Sequence, residues 1–181
     1  MTRISILALA FSAMTVPAFA ENPMVGGAEM LETKNIVENA VNSADHTTLV
    51  AAVTAAGLVD TLAGEGPFTV FAPTNDAFGK LAAGTVDDLL KPENKDPLAK
   101  VLTCHVVAAD VMSEALVKMI ADDGGMHAVP TVGGCTLKAM VEDGKVKIED
   151  ERGRKATVTI ADVKQSNGVI HVIDTVLLPA M

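Results

Sequence analysis

Phe68-Thr69-Val70-Phe71-Ala72-Pro73-Thr74-Asn75-Asp76-Ala77-Phe78 changes character twice within eleven residues. Aromatic and β-branched side chains from Phe68 to Ala72 predict a strand. Pro73 stops it, having no N–H to give to a ladder. Thr74 then offers a side-chain oxygen to the orphan N–H groups of a helix start, and Asp76 places negative charge at the positive end of the helix dipole. A strand feeding a capped helix over Asn75 to Leu81 is therefore expected, and the rest of the chain can be read outward from it.

Toward the N-terminus, Gly64-Glu65-Gly66-Pro67 is a break, and three helical pieces precede it. Asn35 caps Ile36 to Val41, where Ile36, Val37, Ala40 and Val41 form one stripe. Asp45 caps a second piece in which Leu49, Val50, Val53 and Ala56 share a face, ending near Gly57. Leu58 to Ala63 is the third. Toward the C-terminus, Thr85 caps Val86 to Leu90, and Pro92 cannot continue that helix. Asp96-Pro97 opens another, with Leu98, Val101 and Leu102 inward. Cys104 to Val107 predicts a strand and Ser113 to Ile120 a helix.

From Met126 onward the period becomes two. Thr136 to Glu142 and Lys145 to Asp150 flank Asp143-Gly144, a two-residue hairpin signal. Lys155 to Val163 alternates, Asn167-Gly168 turns, and Val169 to Asp174 leads to a terminal Val176-Leu177-Leu178-Pro179. Asp122-Asp123 and Glu149-Asp150-Glu151 are read as solvated turns. Helices gathered first and strands last give an α+β class.

Residues 1–20 are read as a secretory signal peptide: Arg3, an uncharged stretch from Ile4 to Val16, and the small-x-small site Ala18-Phe19-Ala20. Thirteen residues are too few to span a bilayer, which takes about 20. Residues 21–34, with Pro23, Gly26 and Gly27, are expected to be a flexible lead-in, and 35–181 the domain. The expected location is exported: secreted, cell surface or periplasm. No transmembrane segment is expected in the mature chain, which is expected to be a monomer.

A formal charge of −9 argues against nucleic acid and anionic membrane surfaces as partners. With no Trp, no Tyr and only five Phe, stacking platforms for sugars or bases are scarce. The two cysteines, Cys104 and Cys135, read first as a disulfide in an exported chain, with a buried thiol pair as the alternative. His46, His105, His127 and His171 show no i, i+3 or i+4 pairing that a helix would present to a metal. No metal or cofactor is expected. Cys104 and His105, as neighbours on a strand, would point to opposite faces and could not act as a dyad.

Three blocks together resemble the fasciclin-like family. Phe68 to Phe78 is similar to its first signature. Asn167-Gly168-Val169-Ile170-His171-Val172-Ile173-Asp174 with Val176 to Pro179 is similar to its second. Leu102 to Val107 is similar to its Tyr-His strand, with Cys104 in place of Tyr. The resemblance implies a twisted sheet of about seven strands packed with several helices. It also implies a non-catalytic adhesion module that recognises a cell-surface or matrix protein or a polysaccharide. In animal members an Asp-Ile pair before the second block and the Tyr-His strand are tied to receptor recognition. Asp162-Val163 and His105 stand at those positions here. Two other classes remain in view. One is an envelope protein binding a small apolar ligand in a pocket lined by Met and Leu; the other is an enzyme with an unrecognised site.

Overall fold

The computed structural model describes residues 22–180. The proposed signal segment lies outside them. In chain order the elements are a small hairpin, β1 (Met24–Val25) and β2 (Ala28–Glu29), then α1 (Ile36–Ala40), α2 (Thr47–Ala56) and α3 (Val59–Ala63). The strand–helix unit β3 (Phe68–Pro73) and α4 (Asn75–Gly79) follows, with α5 (Thr85–Leu89), α6 (Lys95–Thr103), β4 (Val106–Val107) and α7 (Ser113–Asp122) after it. The chain ends in β5 (Met126–Pro130), β6 (Thr136–Glu142), β7 (Lys145–Glu149), β8 (Lys155–Gln165) and β9 (Gly168–Ile173).

Seven strands form the main sheet in the order β4-β3-β9-β8-β7-β6-β5. The α+β class is as the residue pattern predicts, and the seven-stranded sheet packed with helices is as the resemblance implies. The two signature blocks lie side by side in the interior of the sheet, because β3 pairs parallel with β9 from Phe68↔Gly168 to Pro73↔Ile173. Both faces of this pair are covered. Val70, Ala72, Ile170 and Val172 join the helices α1, α2 and α6 in one apolar cluster. Phe71 and Ile173 join Leu137, Ile148 and α7's Leu116 and Ile120 in the other. Strands buried on both faces read as continuous apolar runs, which is why Phe68 to Ala72 and Val169 to Ile173 do not alternate. β6 and β7 alternate because their outer face is solvated, carrying ion pairs such as Lys147–Glu142 and Lys138–Glu149. Such half-exposed pairs contribute about 0–1 kcal/mol each.

The local signals that set these elements are visible in the hydrogen bonds. Asn35 caps α1 in a full capping box with Glu38, and Thr74 Oγ1 accepts from Ala77 N–H at the start of α4. Asp143 and Gly144 both have positive φ, as a tight β6–β7 turn requires. A Cβ on Gly168 would collide with the carbonyl of Phe68, so the close β3–β9 approach needs glycine there.

Several sequence expectations change. Neither Asp45 nor Thr85 caps a helix: Asp45 lies in a 3-10 turn ahead of α2, and Thr85 is the first residue of α5, after Gly84. The stretch 22–34 is not a bare lead-in: it holds the β1–β2 hairpin, whose Val25 and the following Met30 are buried in the helical cluster. The packed unit therefore begins ahead of Asn35. Cys104 is not on a strand but ends α6, and pairing is confined to Val106 and Val107. Asp150 is not solvated. Its carboxylate is buried and accepts from Arg152 N–H, Arg154 N–H, Arg154 Nε–H and Leu178 N–H.

Candidate functional site

β8 is eleven residues long and does not run evenly along β9. Its register slips between Val158 and Ile160 and again between Ile160 and Val163. Two bulges result, and Asp162 sits in the second with φ 58°. Bulges leave a residue unpaired and re-aim its side chain; here the freed groups are taken up by two neighbours.

His171, on β9, faces this bulge from inside. Its Nδ1 accepts from Asp162 N–H at 3.2 Å and its Nε2–H donates to Val111 O at 2.8 Å. That pattern fixes the neutral tautomer, and burial pushes its pKa down. The ring stacks on Phe71 at 5.7 Å. On the outer side, the Asp162 carboxylate accepts from Ser113 N–H at 2.7 Å and from the Ser113 hydroxyl. Asp162 thus serves as a cap for α7 supplied from another strand, rather than as a solvated strand-end carboxylate. The 109–111 segment is held from a second direction, since Thr69 Oγ1 donates to Ala109 O and accepts from Val111 N–H.

Beside the bulge lies an open groove of about 710 Å³ between the segments 63–67, 110–112 and 164–168. Glu32, Glu65 and Asp110 place carboxylates along it, and Lys164 is the only cation among its lining residues. Asn167 holds its walls together. The side-chain oxygen accepts from Ile36 N–H at 3.0 Å, and the side-chain amide donates to Leu62 O and Gly64 O, each at 2.8 Å. Ser166 N–H donates to Lys34 O at 2.9 Å, tying the same turn to the chain ahead of α1.

The three residues singled out by resemblance occupy different surroundings. Asp162 is half-buried at the bulge, and Val163, next to it, is fully buried in the helical cluster. His105 is 2% exposed. Its Nδ1–H donates to Val101 O at 2.8 Å, and its Nε2 accepts from Leu177 N–H at 2.9 Å. Burial pulls its pKa down to about 4, so it works as a neutral splint between α6 and the C-terminal segment. Among the hydrogen bonds of the described residues, none joins His105 to Asp162.

Cys104 and Cys135 are joined in a disulfide with a Cα–Cα distance of 5.4 Å, pinning the β5–β6 loop to the end of α6. Val132 N–H donating to Val106 O and Gly133 N–H donating to Thr103 O support the same docking. No group of three or more His, Cys, Asp or Glu side chains is placed to hold a metal ion among the described residues. None of their helices is long and apolar enough to cross a membrane.

Comparison with known proteins places this geometry. The family model for the fasciclin domain matches residues 44–179. The chain is 48% identical over 187 residues to protein sll1483 of Synechocystis sp., covering 96% of each. It is 45% identical over 144 residues to the uncharacterized protein sll1735 of the same organism, covering 80% of this chain and 97% of that one. Among solved structures it is similar to a FAS1 domain pair from the insect cell adhesion molecule fasciclin I. The TM-score is 0.72 at 21% identity, over 80% of this chain and 51% of that one. At that identity the likeness is one of fold.

Proposed function

The chain belongs to the fasciclin domain family, and on that premise we propose that it is an exported, non-catalytic adhesion or binding module. Its partner is a cell-surface or matrix protein or a polysaccharide, met by a single copy of the domain. The observation that carries this reading is the open groove beside Asp162. Wide, polar and edged by Asp110, Glu65 and Lys164, it suits an extended polar chain better than an enclosed substrate. The fold shared with the cell adhesion molecule fasciclin I supports the same direction. Within this reading Asp162 presents its partly exposed edge to the partner. Val163 and His105 act from the interior as positioning residues.

The chemistry of two of the three buried histidines agrees. His105 and His171 each spend both ring nitrogens on protein groups, which leaves neither free as a general base in this arrangement. The test is retention of a surface extract, proteins and polysaccharides together, on the immobilised chain. Exchanging both Asp110→Ala and Lys164→Ala on the groove wall is expected to cut retention by about tenfold. The melting temperature should stay put, because both side chains are exposed. Full retention by the double variant would remove the groove from the proposal. Export is tested by sequencing the N-terminus of protein from envelope or medium, which is expected to begin at Glu21.

A further inference from the structure

A second cavity, sharing no lining residue with the groove, lies where α1, α2 and α3 meet the sheet. Its volume is about 130 Å³. Ile36, Leu49, Val53, Leu62, Val70 and Leu102 form its walls. It opens to solvent between α1 and α2, where Val37 and Val50 are half-buried and Val41 is 55% exposed.

Two polar side chains reach this cavity, and both are already committed. Each nitrogen of His105 is bonded inside the protein, to Val101 O and Leu177 N–H. The Thr54 hydroxyl donates to Val50 O at 2.8 Å. A buried water needs two to four polar partners, whereas apolar cavities of roughly 150 Å³ stay dry and accept small hydrocarbons. The surroundings are equally apolar. α2 has no charged residue, and its exposed positions are Thr47, Ala51, Thr54 and Ala55. The only charged side chains on the three helices are Glu38 and Asp60, both acidic.

From these observations we propose that the α1–α2–α3 crevice binds the end of a neutral hydrocarbon chain, alkyl or isoprenoid. The cavity takes the tip, and the remainder lies along Val37, Val41 and Val50 toward the uncharged face of α2. Recognition is chiefly by shape and burial, because His105 has both nitrogens bonded and the Thr54 hydroxyl has given its proton to Val50 O. Glu38 and Asp60 disfavour an anionic headgroup on the α1 and α3 sides, whereas the Lys95 ammonium lies against Gly57 at the C-terminal end of α2. The aliphatic lining is of Val, Ile, Leu and Ala, not the Met and Leu anticipated from composition.

The experiment is a methyl-resolved NMR titration of the full chain, labelled at Val, Leu and Ile. Octyl glucoside is the neutral probe and octanoate its charged counterpart, both kept below micelle formation. Saturable shifts are expected at Val37, Val41, Val50, Val53 and Leu62 with octyl glucoside, and about tenfold weaker binding of octanoate. Val53→Phe should fill the cavity and abolish the saturable shifts. Val41→Glu, at an exposed rim position that leaves packing intact, should weaken octyl glucoside by about tenfold. Shifts that fail to saturate, or that persist unchanged in Val41→Glu, would overturn the site. Equal binding of octanoate would overturn the assignment to a neutral chain. Loss of adhesion in groove variants has no bearing on this result, so the two proposals fail separately.

Discussion

Replacing Asp162 tests whether the β8 bulge and the start of α7 form one structural unit. The side chain accepts two hydrogen bonds from Ser113, from its N–H at 2.7 Å and from its hydroxyl, in the manner of an N-cap. Losing a cap costs about 1 kcal/mol, with a range of roughly 0.5–2. The backbone adds a second term. At φ 58° an L-residue other than Asn or Asp is strained, by roughly 1–2 kcal/mol relative to glycine. Asp162→Ala is therefore expected to destabilise the protein by about 2–3 kcal/mol. For a chain of this length that corresponds to a fall in Tm of roughly 4–12 °C. Asp162→Gly loses the same cap but relieves the backbone, so it should be milder than Ala by about 1 kcal/mol. Asp162→Asn keeps an acceptor and tolerates the conformation, and should stay within about 1 kcal/mol of the parent. Urea and thermal unfolding of the three variants read this order directly. A solvated carboxylate on a regular strand would instead give changes within about 0.5 kcal/mol for Ala. Equal, near-zero shifts for Ala and Gly would refute the capping argument.

Other expectations follow from the buried groups. Because burial holds the His105 pKa near 4, the unfolded chain binds more protons than the folded one between about pH 6.5 and 4. Stability is thus fully present above about pH 6.5 and falls as pH drops toward 4. His46 and His171, also lowered by burial, act in the same direction. Urea midpoints measured from pH 7.5 to 4.5 check the slope, and ring NMR signals of His105 should show no protonation above about pH 5. Reducing Cys104–Cys135, whose sequence separation is 31, should cost roughly 3.5–4 kcal/mol by chain entropy. The Tm should fall while the far-UV circular dichroism is retained. Asp150→Ala leaves Arg154 half-buried without its partner and frees Leu178 N–H, so a loss of about 3 kcal/mol is expected. Hydrogen exchange of the Leu178 amide should accelerate, and an unchanged rate would show that the C-terminal segment is held by other contacts.

Much of the fold is legible because its signals are local. Thr74, Asn35 and Asp143-Gly144 each announce a cap or a turn through groups only two or three residues away, and the structure places them accordingly. The Phe68–Ala72 and Val169–Ile173 runs announce burial on both faces. The site is less legible because it is made by partners distant along the chain. Nothing near Asp162 in sequence says that Ser113 will donate to it, or that His171 will hold its N–H. Asp150 sits between two acidic neighbours and reads as solvated, yet its bonds run to Arg154 and Leu178. Asn167 was visible as half of an Asn-Gly turn. Its role in fastening α1 and α3 depends on the parallel alignment of β3 with β9, which brings the 64–67 break beside the 167–168 turn. A pair of Gly-containing breaks, each abutting an apolar run, was the signal available.

The parallel β3–β9 pair also governs when the domain can fold. The pair joins Phe68 to Gly168, so closing this part of the sheet must await a strand synthesised about 100 residues after the first. Long-range pairing of this kind raises contact order and slows folding. Until Gly168 to Ile173 has been synthesised, β3 has only the short β4 beside it, and β8 lacks the neighbour that spaces its bulges. A nascent chain that has not yet released β9 therefore has its helices able to form but its sheet still open. Ribosome-stalled chains ending at residue 160 should remain protease-sensitive, while those with all of β9 outside the tunnel become resistant. That delay gives any machinery acting on the unfolded chain the whole interval between the synthesis of β3 and that of β9 in which to do so.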